Sequence, residues 1–306
     1  MNDKLSNNRF LRDVVIIAGQ EMTDSIRSRR ALVVLALFLS ISLAATLLSI
    51  KFLHAFEEAL SGALMLDSSE HTGAVTATLW KNPSFREMIV HMTGDRDVAL
   101  ALLQFPPLSL FFMGIVFAFS PALVAFTSSA RFAEEIWSGS IRFVCTRTTR
   151  LSWCIGKYFG QALQILIALL ASVPVAWLCG WFSLEGFEGT ATLIAMLIFA
   201  FKAWIYSMSY LGIIGCVSLF CRNPAMANAL GVISVVAFSA LFHTHHWAAD
   251  GWRRIFDFPQ MITPHYQYFD ILRPDAGHVV PATIFLFAIG LGYLLIGYAR
   301  LAKRDL

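Results

Sequence analysis

The stretch with the most ionisable side chains is residues 131–157, RFAEEIWSGSIRFVCTRTTRLSWCIGK, which lies between two long apolar runs. Seven of its 27 positions are Arg, Lys or Glu, in a chain that is only 14% charged. Glu134 and Glu135 stand near its start, where a helix dipole favours carboxylates, and Gly139 offers a place for a helix to end. Three arginines follow that could pair with acidic groups of a partner or with lipid phosphates: Arg142, Arg147 and Arg150. These residue types indicate ionic docking, although a cluster that only fixes membrane topology would carry similar charges.

Sequence motifs for catalysis or nucleotide binding are missing. Gly156 and Lys157 resemble the end of a phosphate-binding G-x-x-x-x-G-K-[ST] loop, but Tyr158 follows them and Leu151 stands where the first glycine belongs. The sequence contains no G-x-S-x-G, H-E-x-x-H or C-x-x-C motif. We therefore expect no catalytic site and no cofactor in this chain.

Two further polar features lie in or beside apolar runs. Lys202 is about 16 Å from Ala191 at ~1.5 Å per helical residue, which is near the middle of a bilayer. A lone lysine there costs on the order of 2.5–3.5 kcal/mol, so it should either face protein or water, where it could contact an anion crossing the membrane, or snorkel outward. A cluster of three histidines, His243, His245 and His246, could bind a metal. A position at a membrane boundary explains the cluster better, because no cysteine or carboxylate cluster lies nearby.

The composition identifies an all-α, polytopic membrane protein. Of the 306 residues 57% are hydrophobic, with 26 Phe and 8 Trp, and apolar runs of about 20 residues recur. We predict one domain over 1–306 with six spans, at 31–50, 106–127, 158–181, 191–220, 225–242 and 280–301. The loop 51–105 is predicted to hold short helices, and the aromatic loop 243–279 to lie at the membrane interface. A disulfide framework is not expected, because the five cysteines fall in the spans or in loops on the side of the membrane opposite to loops 51–105 and 243–279.

Residues 1–30 are predicted to form a helix in the membrane interface. Five apolar residues recur at helical spacing and share one face: Leu11, Val15, Ala18, Met22 and Ile26. Arg27, Arg29 and Arg30 then precede the first span, as is typical of an interfacial helix. An amphipathic helix packed on a soluble partner is the alternative.

The basic residues indicate which side of the membrane each loop occupies. Fifteen lysines and arginines lie in the segments on one side, which are 1–30, 129–157, 221–224 and 300–306. The loops on the other side, 51–105, 182–189 and 243–279, hold 7. The positive-inside rule therefore predicts that both termini and the segment 131–150 are cytoplasmic. We expect a multi-pass protein of the cell membrane, in bacteria the inner membrane.

Two charged segments carry a family resemblance. Glu135, Gly139-Ser140-Ile141, Arg150 and Gly156-Lys157 look like the E-x-x-x-G-[ST]-[LI] … R … G-K pattern of type-2 ABC transporter permeases. EMTDSIRSR, residues 21–29, is similar to the E-x-x-x-x-[LI]-R-x-R of that family's interface helix. One departure is that Thr146-Arg147-Thr148-Thr149 fills a place where many members have a proline.

The resemblance implies a permease subunit, not an enzyme, that exports a substrate. The region 131–150 would be the coupling helix, and nine residues would transmit the action of an ATPase subunit: Glu134, Glu135, Gly139, Ser140, Ile141, Arg142, Arg150, Gly156 and Lys157. Glu21 and Arg27 would belong to the interface helix, and Lys202 to the translocation path. The partners would be an ABC ATPase dimer, which binds ATP and Mg, a second permease copy that is identical or similar, and membrane lipid. No nucleic acid is expected. The rival hypotheses are an intramembrane enzyme that uses the glutamates and histidines, and a membrane anchor or scaffold.

Overall fold

The computed structural model describes residues 2–27, 29–64, 87, 96–184, 187–247 and 261–303. Over these ranges the chain forms helices and no strands. We number the helices α1 (Asn2–Arg27), α2 (Arg30–Leu64), α3 (Arg96–Leu102), α4 (Pro107–Ser128), α5 (Arg131–Ser138), α6 (Ile141–Cys145), α7 (Arg150–Ser183), α8 (Gly189–Phe220), α9 (Pro224–Trp247), α10 (Tyr268–Leu272) and α11 (Ala276–Ala302). Most of the predicted loop 51–105 and residues 248–260 lie outside the described part.

Within the described ranges, six helices are long and apolar enough to cross a membrane, namely α2, α4, α7, α8, α9 and α11. The predicted all-α, six-span architecture is therefore confirmed. Two boundaries differ clearly: α2 continues to Leu64, past residue 50 and into the predicted loop 51–105, and α7 begins at Arg150 and not at residue 158. The Thr149 side chain accepts a hydrogen bond from the backbone N–H of Ser152, which caps the helix at this earlier point. Gly156 and Lys157 consequently lie within the first turns of a long helix.

Helix α8 is the centre of the bundle and packs against α4, α7, α9 and α11. Its closest neighbour is α11, where Gly212 faces the backbone of Gly290 so tightly that neither position leaves room for a Cβ atom. Small residues allow membrane helices to approach this closely, which replaces lipid contacts by helix–helix packing. Because α8 is enclosed on most sides, polar groups on it can find protein partners within the membrane.

The segment that precedes α11 folds back along the bundle. It forms a 3₁₀ turn at Pro264–Gln267 followed by α10. His265 contacts Tyr210, which lies about 31 Å along α8 from Gly189 at ~1.5 Å per residue. The carbonyl of Ile262 accepts a hydrogen bond from Tyr293 on α11. Non-helical backbone at such depth requires protein partners. This segment is buried at Thr263, Pro264 and Ile271, whereas Ile262 and Tyr266 are exposed on its other side.

Helix α1 packs lengthwise on α7, but not through the predicted apolar stripe. Its buried face is formed by Val14, Ile17, Glu21 and Ser25, whereas the predicted residues Leu11, Val15 and Ile26 are exposed. Polar groups on α7 complement Glu21 and Ser25, so the face that packs on α7 combines apolar residues with these two polar ones. The exposed apolar stripe leaves α1 suited to contact lipid on its other side.

Candidate functional site

The charged segment after α4 forms a helical hairpin of α5 and α6. Gly139 ends α5 in the left-handed conformation, with φ of 73°, which glycine adopts without steric cost. Trp137 is 68% exposed and Phe143 80%, one on each side of this turn. Large apolar side chains exposed on a polar hairpin mark an interaction surface. Neither residue was among those predicted from the sequence, although two aromatics flanking a predicted turn were a usable signal.

Lys157 lies at the centre of an ion-pair network that joins three helices. Its Nζ atom is 2.9 Å from a carboxylate oxygen of Glu21 on α1 and 2.5 Å from Oε1 of Glu135 on α5. Lys157 is only 2% exposed, and the rings of Phe132 and Trp153 lie within 6 Å of its amino group. A buried lysine requires such partners, since a lone charge there would be strongly unfavourable. The structure thus brings together three predicted residues, but Lys157 points inward and cannot reach a partner protein.

The Glu135 carboxylate is held on both oxygens. Oε2 accepts a hydrogen bond of 2.8 Å from the indole N–H of Trp153, while Oε1 binds Lys157. Trp153 also packs edge-on against Phe132, with ring centroids 5.4 Å apart. The orientation of α5 relative to α7 is therefore fixed by charge, hydrogen bonding and aromatic packing together.

A second set of polar contacts ties α1 to α5 and α7. The Arg131 guanidinium donates to the Ser25 hydroxyl at 3.2 Å and lies 3.9 Å from Glu21. The amide nitrogen of Gln164 donates to the Ser25 hydroxyl at 2.6 Å and to the backbone carbonyl of Glu21. Helix α1 is consequently bonded to the bundle by side chains from two different parts of the chain.

Two glycines on α7 allow α1 to approach closely. A Cβ atom on Gly156 would lie 2.7 Å from Cβ of Ile17, and one on Gly160 would lie 2.9 Å from Cβ of Glu21. The two positions form a G-x-x-x-G spacing, which places both glycines on one helix face. Gly156 was predicted from the family pattern and Gly160 was missed, although this spacing could have revealed it.

The base of α5 is also attached to α8. The backbone N–H of Ala133 donates to the Ser218 hydroxyl at 3.1 Å, and Phe132 packs beside Gly215. Both contacts are buried. Any displacement of the hairpin would therefore act directly on the central helix.

The remaining predicted hairpin residues have separate roles. Ile141 is buried, Arg142 is exposed, and the Ser140 hydroxyl bonds within the turn to the Glu135 carbonyl and Ser138. Arg150 donates through Nη1 to the carbonyls of Leu301 and Ala302, both at 3.2 Å. These hydrogen bonds stabilise the C-terminal end of α11. Burial raises the pKa of the Cys145 thiol, so this cysteine stays protonated at neutral pH.

A cavity of about 400 Å³ opens beside the hairpin, between α2, α4 and α9. Its lining includes Arg131 and Glu134 together with Val34, Phe126 and Asn228. Glu134 thus lies at the cavity wall, apart from the ion pairs of Lys157. Arg27, the other predicted interface residue, is exposed at the end of α1.

Lys202 is buried within the bundle. Its amino group donates to the backbone carbonyls of Leu272 at 3.3 Å and Arg273 at 2.8 Å, at the end of α10. Tyr210, two turns along the same helix, bonds to His265 at 2.7 Å. Lys202 therefore faces protein, as one of the two hypotheses required, and it fastens the folded-back segment to α8. A contact with substrate stays a prediction.

Among the residues that the structure describes, no group of three His, Cys, Asp or Glu side chains could hold a metal ion. The backbone of His243, His245 and His246 lies in the last turns of α9. Their side chains lie outside the described part, so the metal and membrane-boundary hypotheses both stay predictions.

Comparison with known proteins agrees with this arrangement. No curated protein matches the chain. A family model described as "ABC-2 family transporter protein" matches residues 15–306, which includes α1 from Val15 onward, all six spans and the hairpin. The match covers nearly the whole chain, and this protein therefore belongs to the ABC-2 family of transporter proteins.

Proposed function

We propose that this permease transmits ATP hydrolysis in a separate ABC ATPase subunit to substrate export, and that the α5–α6 hairpin is the docking element. The observation that carries the proposal is the pair of exposed aromatics, Trp137 and Phe143, at the tip of a hairpin whose base is buried. An exposed aromatic pair is a suitable anchor for a groove in a partner, and Arg142 beside it could pair with acidic groups there.

Rigid attachment of the hairpin supports a role in transmission. Glu135 joins α5 to α7 through Lys157, and the Ala133 N–H joins it to α8 through Ser218. A force on the hairpin would therefore move two membrane helices and α1 together and would not be absorbed by a flexible linker. Such contacts between rigid elements are what mechanical coupling between distant sites requires.

The distribution of basic residues supports the orientation. Fifteen lysines and arginines lie on the side of the hairpin and both termini, against seven on the other. We infer that this side is cytoplasmic and, in a bacterium, that the protein lies in the inner membrane. Two permease chains would then bind two ATPase subunits, which hold the ATP and Mg, and closure of the ATPases would drive the bundles between inward and outward states.

The rival function of an intramembrane enzyme has less support. Glu135 is engaged on both carboxylate oxygens, by Lys157 and Trp153, so neither oxygen is available as a general base. The histidines at the end of α9 lie at the opposite end of the bundle from the hairpin, since α9 begins beside the hairpin at Pro224. These groups cannot form one catalytic site.

The test is co-purification of the ATPase from native membranes. We expect the wild-type chain to co-purify with a stoichiometric amount of ATPase. The amount of ATPase that co-purifies with the double variant Trp137→Ala/Phe143→Ala should be at least tenfold lower. Phe182→Ala is the matched control, because Phe182 is equally exposed but lies at the other end of α7. An ATPase retained in full by the double variant would contradict the docking assignment. The absence of any ATPase from the wild-type preparation would contradict the proposed function itself.

A further inference from the structure

An apolar cleft of about 110 Å³ lies where α1, α2, α4 and α7 meet. Its floor is formed by buried side chains, among them Ile165 and Ala168. Its rim is formed by Ile26, Leu32 and Ile167, which are between 45% and 59% exposed. A cleft with a buried floor and an exposed apolar rim, on a membrane helix bundle, is suited to contact with lipid.

The polar atoms in the cleft wall are already engaged. Ser25 accepts hydrogen bonds from Arg131 and Gln164, and the Thr127 hydroxyl donates to the backbone of α4 at Leu123. The surface that the cleft presents to an occupant is therefore almost wholly apolar, which suits a hydrocarbon chain.

Two cations are close to rim residues in the chain. Arg27 is the last residue of α1, and Arg29 lies in the turn before α2 with φ of 56°. Both are exposed, and neither forms an ion pair with a residue that the structure describes. In the chain they stand between the rim residues Ile26 and Leu32. Unpaired arginines next to an apolar, lipid-facing cleft are what an anionic headgroup requires.

We propose that this cleft binds an anionic phospholipid, with an acyl chain over Ile165 and Ala168 and the phosphate at Arg27 and Arg29. The exposed apolar stripe of α1 would lie in the same leaflet, which places the headgroup and the helix at a common depth. Since Ser25 and Gln164 also hold α1 on the bundle, a bound lipid would stabilise the docked position of the interface helix. This site does not depend on the proposed transport function.

The headgroup is tested by native mass spectrometry of the purified chain, with any subunits that accompany it, in detergent containing phosphatidylglycerol or phosphatidylcholine with the same acyl chains. We expect phosphatidylglycerol to be retained preferentially. The variant Arg27→Gln/Arg29→Gln should bind it roughly 30-fold more weakly, at about fivefold per arginine. Arg222→Gln, which removes an exposed arginine from a different turn, should leave binding unchanged.

The acyl-chain position is tested by Ile167→Trp, which narrows the rim, against Leu170→Trp, an exposed position on α7 outside the cleft. Only the first should reduce phosphatidylglycerol binding, and glycerol phosphate without acyl chains should bind at least tenfold more weakly than the lipid. Equal retention of both lipids, equal loss in Arg222→Gln, or equal effects of the two tryptophans would overturn the proposal. Full binding by glycerol phosphate would show a headgroup site without the cleft, and would overturn it as well.

Discussion

The Oε1 atom of Glu135 lies 2.5 Å from Nζ of Lys157, and this contact joins the exposed hairpin to a helix that crosses the membrane. Lys157 also binds Glu21 at 2.9 Å, so one amino group holds the interface helix, the hairpin and α7 at a single point. The arrangement makes the three elements mechanically dependent on each other. Four predictions follow from this network and from the contacts around α8.

The first concerns the stability of the network. Lys157→Met should strongly destabilise the protein, by about 3–5 kcal/mol, because it leaves the buried Glu21 carboxylate without its nearest cation. The double variant Lys157→Met/Glu21→Gln should recover part of this loss, since the uncompensated charge is gone. Thermal denaturation in detergent measures both. A double variant that is as unstable as the sum of its two single changes would argue against direct coupling of the two residues.

The second concerns coupling. Glu135→Arg would place a cation beside Lys157 and displace the base of the hairpin while leaving its exposed tip unchanged. We expect either that the ATPase remains bound but hydrolyses ATP without driving transport, or that the ATPase associates more weakly with the permease. Glu135→Gln keeps a hydrogen-bond acceptor for Trp153 and should have a smaller effect. If Glu135→Arg retains the ATPase and transports normally, this residue does not transmit the conformational change of the ATPase to the membrane helices.

The third concerns the approach of α1 to α7. Gly160→Ala would place a methyl group 2.9 Å from Cβ of Glu21 and 3.0 Å from the Ala18 carbonyl oxygen, so α1 must shift. We expect a lower melting temperature and faster hydrogen exchange in α1. Gly19→Ala is the matched control on α1 itself, because a Cβ atom there meets nothing within 4 Å. Since alanine favours helix over glycine by about 0.5–1 kcal/mol, Gly19→Ala should be neutral or stabilising. Equal behaviour of the two variants would contradict the packing argument.

The fourth concerns the folded-back segment. Lys202→Met removes the donor to the carbonyls of Leu272 and Arg273, which joins this segment to α8. We expect hydrogen exchange in residues 263–273 to accelerate several-fold, with α1 unaffected. Tyr210→Phe should loosen the same segment at its other end by removing the bond to His265. Lys303→Met, at an exposed lysine after α11, serves as the control. Unchanged exchange in Lys202→Met would show that packing alone holds the segment.

The sequence by itself determined the class, the six spans and the place of the charged hairpin. These depend on local information: apolar runs of bilayer length, a glycine that can end a helix, and charges that lipid excludes. The family pattern also selected Glu21, Glu135 and Lys157, which the structure brings together. From sequence, Glu135 and Lys157 were predicted to transmit the action of an ATPase and Glu21 to belong to the interface helix, but the sequence could not show that the three contact one another.

Only the tertiary structure decided which face of each element is used. The apolar stripe of α1 was predicted correctly as a pattern, but the face that packs on α7 carries Glu21 and Ser25, because α7 offers Lys157 and Gln164 opposite them. Helical periodicity shows which residues share a face, not what that face meets. The same holds for Lys202, whose partners are backbone carbonyls far along the chain. Pairing between distant segments depends on how the helices cross. The crossing is set by close approaches, such as that of Gly160 on α7 to helix α1 and that of Gly212 on α8 to Gly290 on α11.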